Sequence, residues 1–314
     1  MIGAPKAIYK REAFSARFKK NWTRYRAIYS MLVLVLAYYV IFHYIPMGGA
    51  IIAFQDYKPA LGMAGSKWVG FKHFLSFFNG PYFQRLVGNT LLLNVYQILF
   101  GFPAPIILAL LINEVRSAPY KKLVQTVSYM PHFISLVVIC GLLSTFSRTD
   151  GFFNDIITLF GGERTNLLSR ADLFRTVFTA SGIWQTIGWG SIIYLATLSG
   201  VDPSLHEAAA IDGANRMQRM WHIALPSLVP VIIVQLIMRL GNILTQGFEK
   251  IILLYNPLTY ETADVISSYV YRRGLLDQDY SFASAVGIFN SIVNLFVLVF
   301  ANTLMKRTTS QSLW

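Results

Sequence analysis

Four polar residues recur at fixed intervals in an otherwise Ile/Val/Leu-rich segment: Gln235, Arg239, Asn242 and Gln246, at i, i+4, i+7 and i+11. On a helix this spacing places all four on one face. Thr90, Asn94 and Gln97 repeat the pattern with Gly101 continuing the line; Gln185 shares a face with Trp189, and Asn290 with Asn294. Amides and aromatic rings arranged in stripes suit a path that binds sugar hydroxyls and ring faces. Their alternative use is hydrogen bonding between helices, about 0.6 kcal/mol per contact in measured cases. Arg239 sharpens the choice. It lies about 20 Å into its segment at 1.5 Å per residue, too far for easy snorkelling, so it must meet either a partner's carboxylate or an acidic ligand.

Other chemistries lack their residues. No P-loop, zinc spacing, GxGxxG or GxSxG occurs. His43, His73 and His132 are not spaced as metal ligands, and Cys140 stands alone in an apolar run, where packing is its expected role. The apolar segments hold no serine–histidine or aspartate pair. The chain is therefore expected to be non-catalytic and to bind no metal or cofactor of its own.

The elements that position these stripes follow from composition. Of 314 residues 54% are hydrophobic and 13% charged, about half the charge of a soluble domain, so lipid is the expected solvent. Six stretches approach or exceed the roughly twenty residues that a bilayer requires: 28–45, 89–112, 123–146, 176–198, 226–248 and 283–305. Each must be helical, because an isolated strand would leave backbone groups unpaired in lipid. Pro103, Pro105 and Pro131 fall inside them and predict kinks. The predicted fold is thus an all-α membrane protein of about six transmembrane helices. The first span follows a basic region as a signal peptide would. It is too long for a typical signal, and His43-Tyr44-Ile45-Pro46 offers no small-residue cleavage site, so it reads as a retained helix.

The net charge of +12 is distributed by side. Residues 1–26 form a basic arm with Lys6, Lys10, Arg11, Arg17, Lys19, Lys20, Arg24 and Arg26 against Glu12. Arg116, Lys121 and Lys122 follow the second span, Arg216 and Arg219 the fourth, Lys306 and Arg307 the sixth. The opposite loops (46–88, 147–175 and 249–282) nearly balance acids and bases. The positive-inside rule then places both termini in the cytoplasm. The excess is a topology signal, and nucleic-acid binding is not expected.

The loop 200–225 faces that basic side. It runs Asp202-Pro203-Ser204-Leu205-His206-Glu207-Ala208-Ala209-Ala210-Ile211-Asp212-Gly213-Ala214-Asn215 and on to Ile223-Ala224-Leu225-Pro226. Asp202 or Ser204 can cap a helix opening near Pro203, alanines propagate it, and Gly213 lets it stop or turn. A second short helix is expected to run to Pro226. Small residues permit close approach, so the first helix suits a groove on a partner. As an alternative it is an interfacial helix joining two spans.

Glu207-Ala208-Ala209, Asp212-Gly213-Ala214 and Ile223-Ala224-Leu225-Pro226 together resemble the EAA loop of permease subunits in binding-protein-dependent ABC importers. Tyr44-Ile45-Pro46-Met47, Ala53-Phe54-Gln55-Asp56-Tyr57, Trp68-Val69-Gly70-Phe71, Gly247-Phe248-Glu249-Lys250 and Asp264-Val265-Ile266 are similar to the carbohydrate branch, the LplB-type polysaccharide permeases that take up alginate- and pectin-derived oligosaccharides. The resemblance covers roughly 27–307, which reads as the permease domain, with 308–314 a cytoplasmic tail. It implies a type I importer fold in the bacterial cytoplasmic membrane. In that reading Glu207, Ala208, Ala209, Asp212, Gly213, Leu225 and Pro226 belong to a coupling helix on the ATPase. The implied partners are a second homologous permease, two ATPase copies carrying ATP and Mg, and an extracytoplasmic sugar-binding protein. The cargo is an oligosaccharide, acidic on the uronate reading. The rivals are a self-contained secondary transporter or channel, which lacks proton-relay carboxylates in the second and fifth spans, and an intramembrane enzyme.

Overall fold

A chain in lipid must close its backbone hydrogen bonds within each segment, and the described residues do so almost entirely as helices. The computed structural model describes residues 14–245, 247–309 and 312–313. The first half of the basic arm (1–13), Gln246 and residues 310, 311 and 314 lie outside them. The principal helices are α1 (Phe14–Tyr39), α2 (Phe83–Tyr96), α3 (Pro103–Asn113), α4 (Ala118–Tyr129), α5 (Leu136–Phe146), α6 (Ala171–Ser199), α7 (Pro203–Ile211), α8 (Leu225–Leu240), α9 (Phe248–Leu254) and α10 (Tyr280–Thr309). One two-residue ladder, Gln55–Asp56 antiparallel to Lys67–Trp68, closes the loop after the first span.

Four helical runs among the described residues are long and apolar enough to cross a bilayer: Arg24–Phe54, Phe83–Asn113, Arg216–Leu240 and Tyr280–Thr309. α6 is equally long at 29 residues, but Gln185, Thr186 and its glycines dilute its apolar content. The expected third span differs from a single rod. Ala118–Phe133 and Leu136–Phe146 meet at 96°. Pro131 sits in a 3-10 turn (Met130–Phe133), Ile134 is extended, and Ser135 caps the new helix by accepting from the Val138 amide. The six expected spans are thus four apolar rods, one broken pair and the more polar α6.

Near residue 26, where the basic arm was expected to end, α1 is kinked: Tyr25 is non-helical (φ −119°, ψ 25°), so Phe14–Tyr39 is two helical pieces joined across a bend. Beyond Tyr39 the helix continues through a π turn (Val40–Tyr44) and a 3-10 turn (Gly48–Phe54) that lies on α10. Leu34 and Phe42 are 73% and 64% exposed, the surface expected of a helix solvated by lipid.

α6 is the central element. A β-carbon at Gly188 would stand 2.1 Å from the Ser128 carbonyl oxygen of α4, and one at Gly190 3.0 Å from Pro105 Cγ of α3. Without side chains there, α6 approaches the α4 backbone and the Pro105 ring of α3 closely, and small residues of this kind let helices associate in lipid. Three apolar clusters form the core, and α6 contributes to the first two. One is built on Phe174, Phe178 and Ile139, a second on Tyr194, Leu198 and Leu228, and a third on Phe77, Leu86 and Phe282.

The segment between α9 and α10 is tied down by Asp264, which is fully buried. Its Oδ2 accepts from Arg272 at 2.7 Å and Arg85 at 3.3 Å, and its Oδ1 accepts from the Ser268 hydroxyl at 2.8 Å. Asn89 of α2 donates to the Asp264 carbonyl, and its own side-chain oxygen accepts from Arg175 of α6. Removing the carboxylate strands two guanidiniums. Loss of one member of a buried pair costs about 3–5 kcal/mol, and the partly exposed arginines put this case at the low end. Asp264→Ala is expected to lower the thermal midpoint of the detergent-solubilised protein clearly, whereas Lys67→Ala, on the exposed ladder, is expected to leave it unchanged.

Candidate functional site

The helical face carrying Gln235 and Arg239 opens on two adjoining cavities. The first, about 330 Å³, is lined by Asn94 and Gln97 of the second span, Gly182, Gln185 and Thr186 of α6, Arg239 of α8, and Gly247 and Lys250 beyond it. The second, about 370 Å³, takes Gln235, Trp189, Tyr194, Phe102 and Pro105. Thr186 and Arg239 line both, so the guanidinium stands at their junction.

Local backbone irregularity positions these groups. Between α2 and α3 the chain makes a π turn at Gln97–Gly101, closed by the Phe102 amide on the Gln97 carbonyl at 2.8 Å. Such turns recur at functional sites. Here it precedes Pro103, which has no amide proton to give to a regular helix. Arg239 Nη2 donates to Gln97 Oε1 at 3.0 Å. A β-carbon on Gly101 would lie 2.6 Å from that oxygen and 3.5 Å from Arg239 Nη2, so the contact depends on glycine. Arg239 Nε is buried without a partner, and no carboxylate lies within 4.0 Å of the guanidinium among the described residues.

The continuous stripe expected on the fifth span is corrected. α8 ends at Leu240, and Gly241–Thr245 form turns, with Asn242 N on Arg239 O and Thr245 N on Asn242 O. A β-carbon at Gly241 would stand 2.8 Å from Leu298 Cδ1, and Gly247 has φ +80°, so glycines permit both the close packing and the turn. Asn242 is exposed and bonds the Met238 carbonyl instead; Gln246 lies outside the described residues. Asn294 accepts from the freed Leu244 amide at 3.2 Å, a repair of the broken helix. Asn290 is buried with an unpartnered side-chain oxygen and does not line either cavity. Trp189 is stacked on His132, rings 4.4 Å apart and 5° from parallel.

Lys250 was not among the expected path residues. It is 7% exposed, its ammonium donates to the Phe178 carbonyl at 2.9 Å and lies 5.0 Å from the Phe178 ring centre. The available signal was a lysine immediately preceding Ile251-Ile252-Leu253-Leu254, an apolar helix start with no reason to hold a solvated cation.

At the other end, the loop 200–225 folds as its residues dictate. Asp202 caps α7 through the Ser204 amide at 2.9 Å. That backbone bond, then the Ser204 hydroxyl, hold the Asp202 carboxyl below the usual carboxylate range. Gly213, φ +82°, ends α7 in a Schellman motif: Ala214 N bonds Ala209 O and Gly213 N bonds Ala210 O. Glu207, Ala208, Asp212, Gly213 and Pro226 are exposed, Ala209 and Leu225 half-buried, and Ile211 is 87% exposed. Asn215 and Gln218 form a reciprocal cap. The second helix does not stop at Pro226. Arg216–Arg219 passes through a π turn (Met220–Ala224) into α8, and the Leu225 amide reaches the Met220 carbonyl.

An exposed, capped helix between two spans, below a polar cavity inside an apolar bundle, is the architecture of a solute-transport membrane subunit. Residues 82–310 match the family of binding-protein-dependent transport system inner membrane components, and the chain belongs to it. Among relatives, it is 42% identical over 98% of its length and 96% of theirs to the polygalacturonan/rhamnogalacturonan transport system permease YteP of Bacillus subtilis. It is 45% identical to Protein LplB of the same organism over 91% of each chain. A chain of a bacterial alginate ABC transporter, solved in complex with an alginate pentasaccharide-bound periplasmic protein, superposes with TM-score 0.87 at 45% identity. The match covers 95% of this chain and 100% of that one.

Because Gly101, Gln97 and Arg239 form one contact, their substitutions should not add. Gly101→Val and Gln97→Ala are each expected to reduce uptake with normal membrane levels. The double variant should be no worse than the more impaired single one, within the few tenths of a kcal/mol by which independent sites add.

Proposed function

We propose that this chain is one of two homologous permease subunits in an ATP-driven importer of acidic oligosaccharides. The observation that carries the reading is the cavity's charge. Arg239 and Lys250 line it with amides and hydroxyls, and no aspartate or glutamate does among the described residues. A buried cation lacking an anion is costly, so an anionic cargo suits it, and amides with nearby Trp189 suit sugar hydroxyls and rings. The named cargoes of its relatives, polygalacturonan and alginate, agree in chemistry.

In this reading both termini and the loop 200–225 face the cytoplasm. Glu207, Ala208, Ala209, Asp212, Gly213, Leu225 and Pro226 engage one of two ATPase copies, which carry ATP and Mg. The loops 46–88, 147–175 and 249–282 receive an extracytoplasmic sugar-binding protein, and ATPase closure drives alternating access. Membership of a binding-protein-dependent family gives the rival of a self-contained secondary transporter no support.

Two measurements test it. Glu207→Ala and Gly213→Pro are expected to leave the chain inserted while lowering copurification of the ATPase and abolishing uptake; normal uptake with full ATPase stoichiometry in both would reject the coupling assignment. In a Cys140→Ser background, cysteine at Lys67 or Asp277 should react with impermeant maleimide in cells lacking an outer barrier. Cysteine at Ser204 should not, and the reverse pattern would invert the topology.

A further inference from the structure

We propose that Lys250 and Gln97 form a carboxylate-reading subsite across the bare backbone of Gly182, and that this gap sets the preference for acidic over neutral cargo. The inference rests on the acidic-oligosaccharide reading above and adds the residues that enforce it. An ammonium has three N–H donors, and Lys250 uses one on the Phe178 carbonyl. No aspartate or glutamate lies within 4.0 Å of it among the described residues.

The orientation of Gln97 is fixed by its neighbour. A guanidinium can only donate, so Arg239 holds the Gln97 amide with its oxygen inward. The NH₂ group is then turned the other way, and it makes no hydrogen bond among the described residues. A β-carbon at Gly182 would stand 3.4 Å from Lys250 Nζ and 3.5 Å from Gln97 Nε2. The cation and the amide donor therefore flank a single gap, kept open because α6 has no side chain there. The N–H groups that Lys250 does not spend on Phe178, together with the Gln97 NH₂ group, complement the two oxygens of a carboxylate, and charge-assisted bonds of this kind are roughly twice as strong as neutral ones. A hydroxyl or an ester cannot repay the buried ammonium equally.

Arg239 takes a different part. Its contact with Gln97 orients the amide, which makes it a positioning residue for this subsite. Gln97 thus transmits the placement of α8 to a pocket whose other wall is α9.

The test uses the complete importer in proteoliposomes with its binding protein and ATPase. The probes are trigalacturonate and its fully methyl-esterified form, and the readout is the ratio of their uptake rates. Lys250→Met is expected to lower the acid-to-ester ratio about ten-fold, the scale of one charge-assisted contact, and Lys250→Arg to restore part of it. Gly182→Asp supplies the gap with its own carboxylate. It should assemble and lower the same ratio, which covers the case in which Lys250→Met fails to fold. An unchanged ratio in Gly182→Asp, or in an assembled Lys250→Met, overturns the subsite while leaving the acidic cargo intact. A wild-type importer that prefers the ester overturns the acidic reading and the subsite together.

Discussion

Two cations inside the bundle, with no carboxylate beside them among the described residues, impose the conditions that the surrounding structure meets. In a medium of low dielectric, an uncompensated charge costs several kcal/mol. Each is met by neutral oxygen, Arg239 by the Gln97 amide and Lys250 by the Phe178 carbonyl and ring. The first contact needs the π turn that aims Gln97, and the turn's end needs Gly101. The second needs the chain to turn back after α8, which Gly247 permits at positive φ. Both side chains also line the cavity.

Rigidity comes from elsewhere. α6 meets the α4 backbone at Gly188 and the Pro105 ring of α3 at Gly190, so the cavity has one wall that cannot slide without steric collision. The segment between α9 and α10 is held by Asp264, where a buried carboxylate gathers Arg85 and Arg272 and binds the loop to α2. Among the described residues, counter-charge is therefore concentrated in the knot that fixes the frame, and no aspartate or glutamate lines the cavity.

Much of this was legible in the residues. The loop 200–225 was readable because its signals are local: a capping aspartate, a proline at the helix start and a glycine in the left-handed region all act within a few residues. The cavity amides Asn94, Gln97 and Gln185 and the position of Arg239 followed from helical periodicity. Periodicity failed where helices stop being regular. The stripe through Asn242 and Gln246 presupposed a helix beyond Leu240, yet Gly241 packs against Leu298 and the chain turns. The right-angled break after Phe133 needed more than Pro131, since proline alone permits a modest kink. Lys250 was obscured by its neighbours, because an apolar helix start and a solvated loop look alike until its burial against Phe178 is seen.

The π turns give the chain an unusual sensitivity to length. Such a turn is an α-helix carrying one surplus residue, and the described chain has four, at Val40–Tyr44, Gln97–Gly101, Met220–Ala224 and Arg272–Leu276. Excising one residue between Asn94 and Pro103 would restore regular winding and swing everything downstream by about 100° and 1.5 Å. A homologue shorter by that single codon would turn another side chain towards Arg239 with every other residue conserved. Insertion and deletion within a membrane helix thereby become a route to new cargo preference, one that substitution matrices and ungapped alignments do not register.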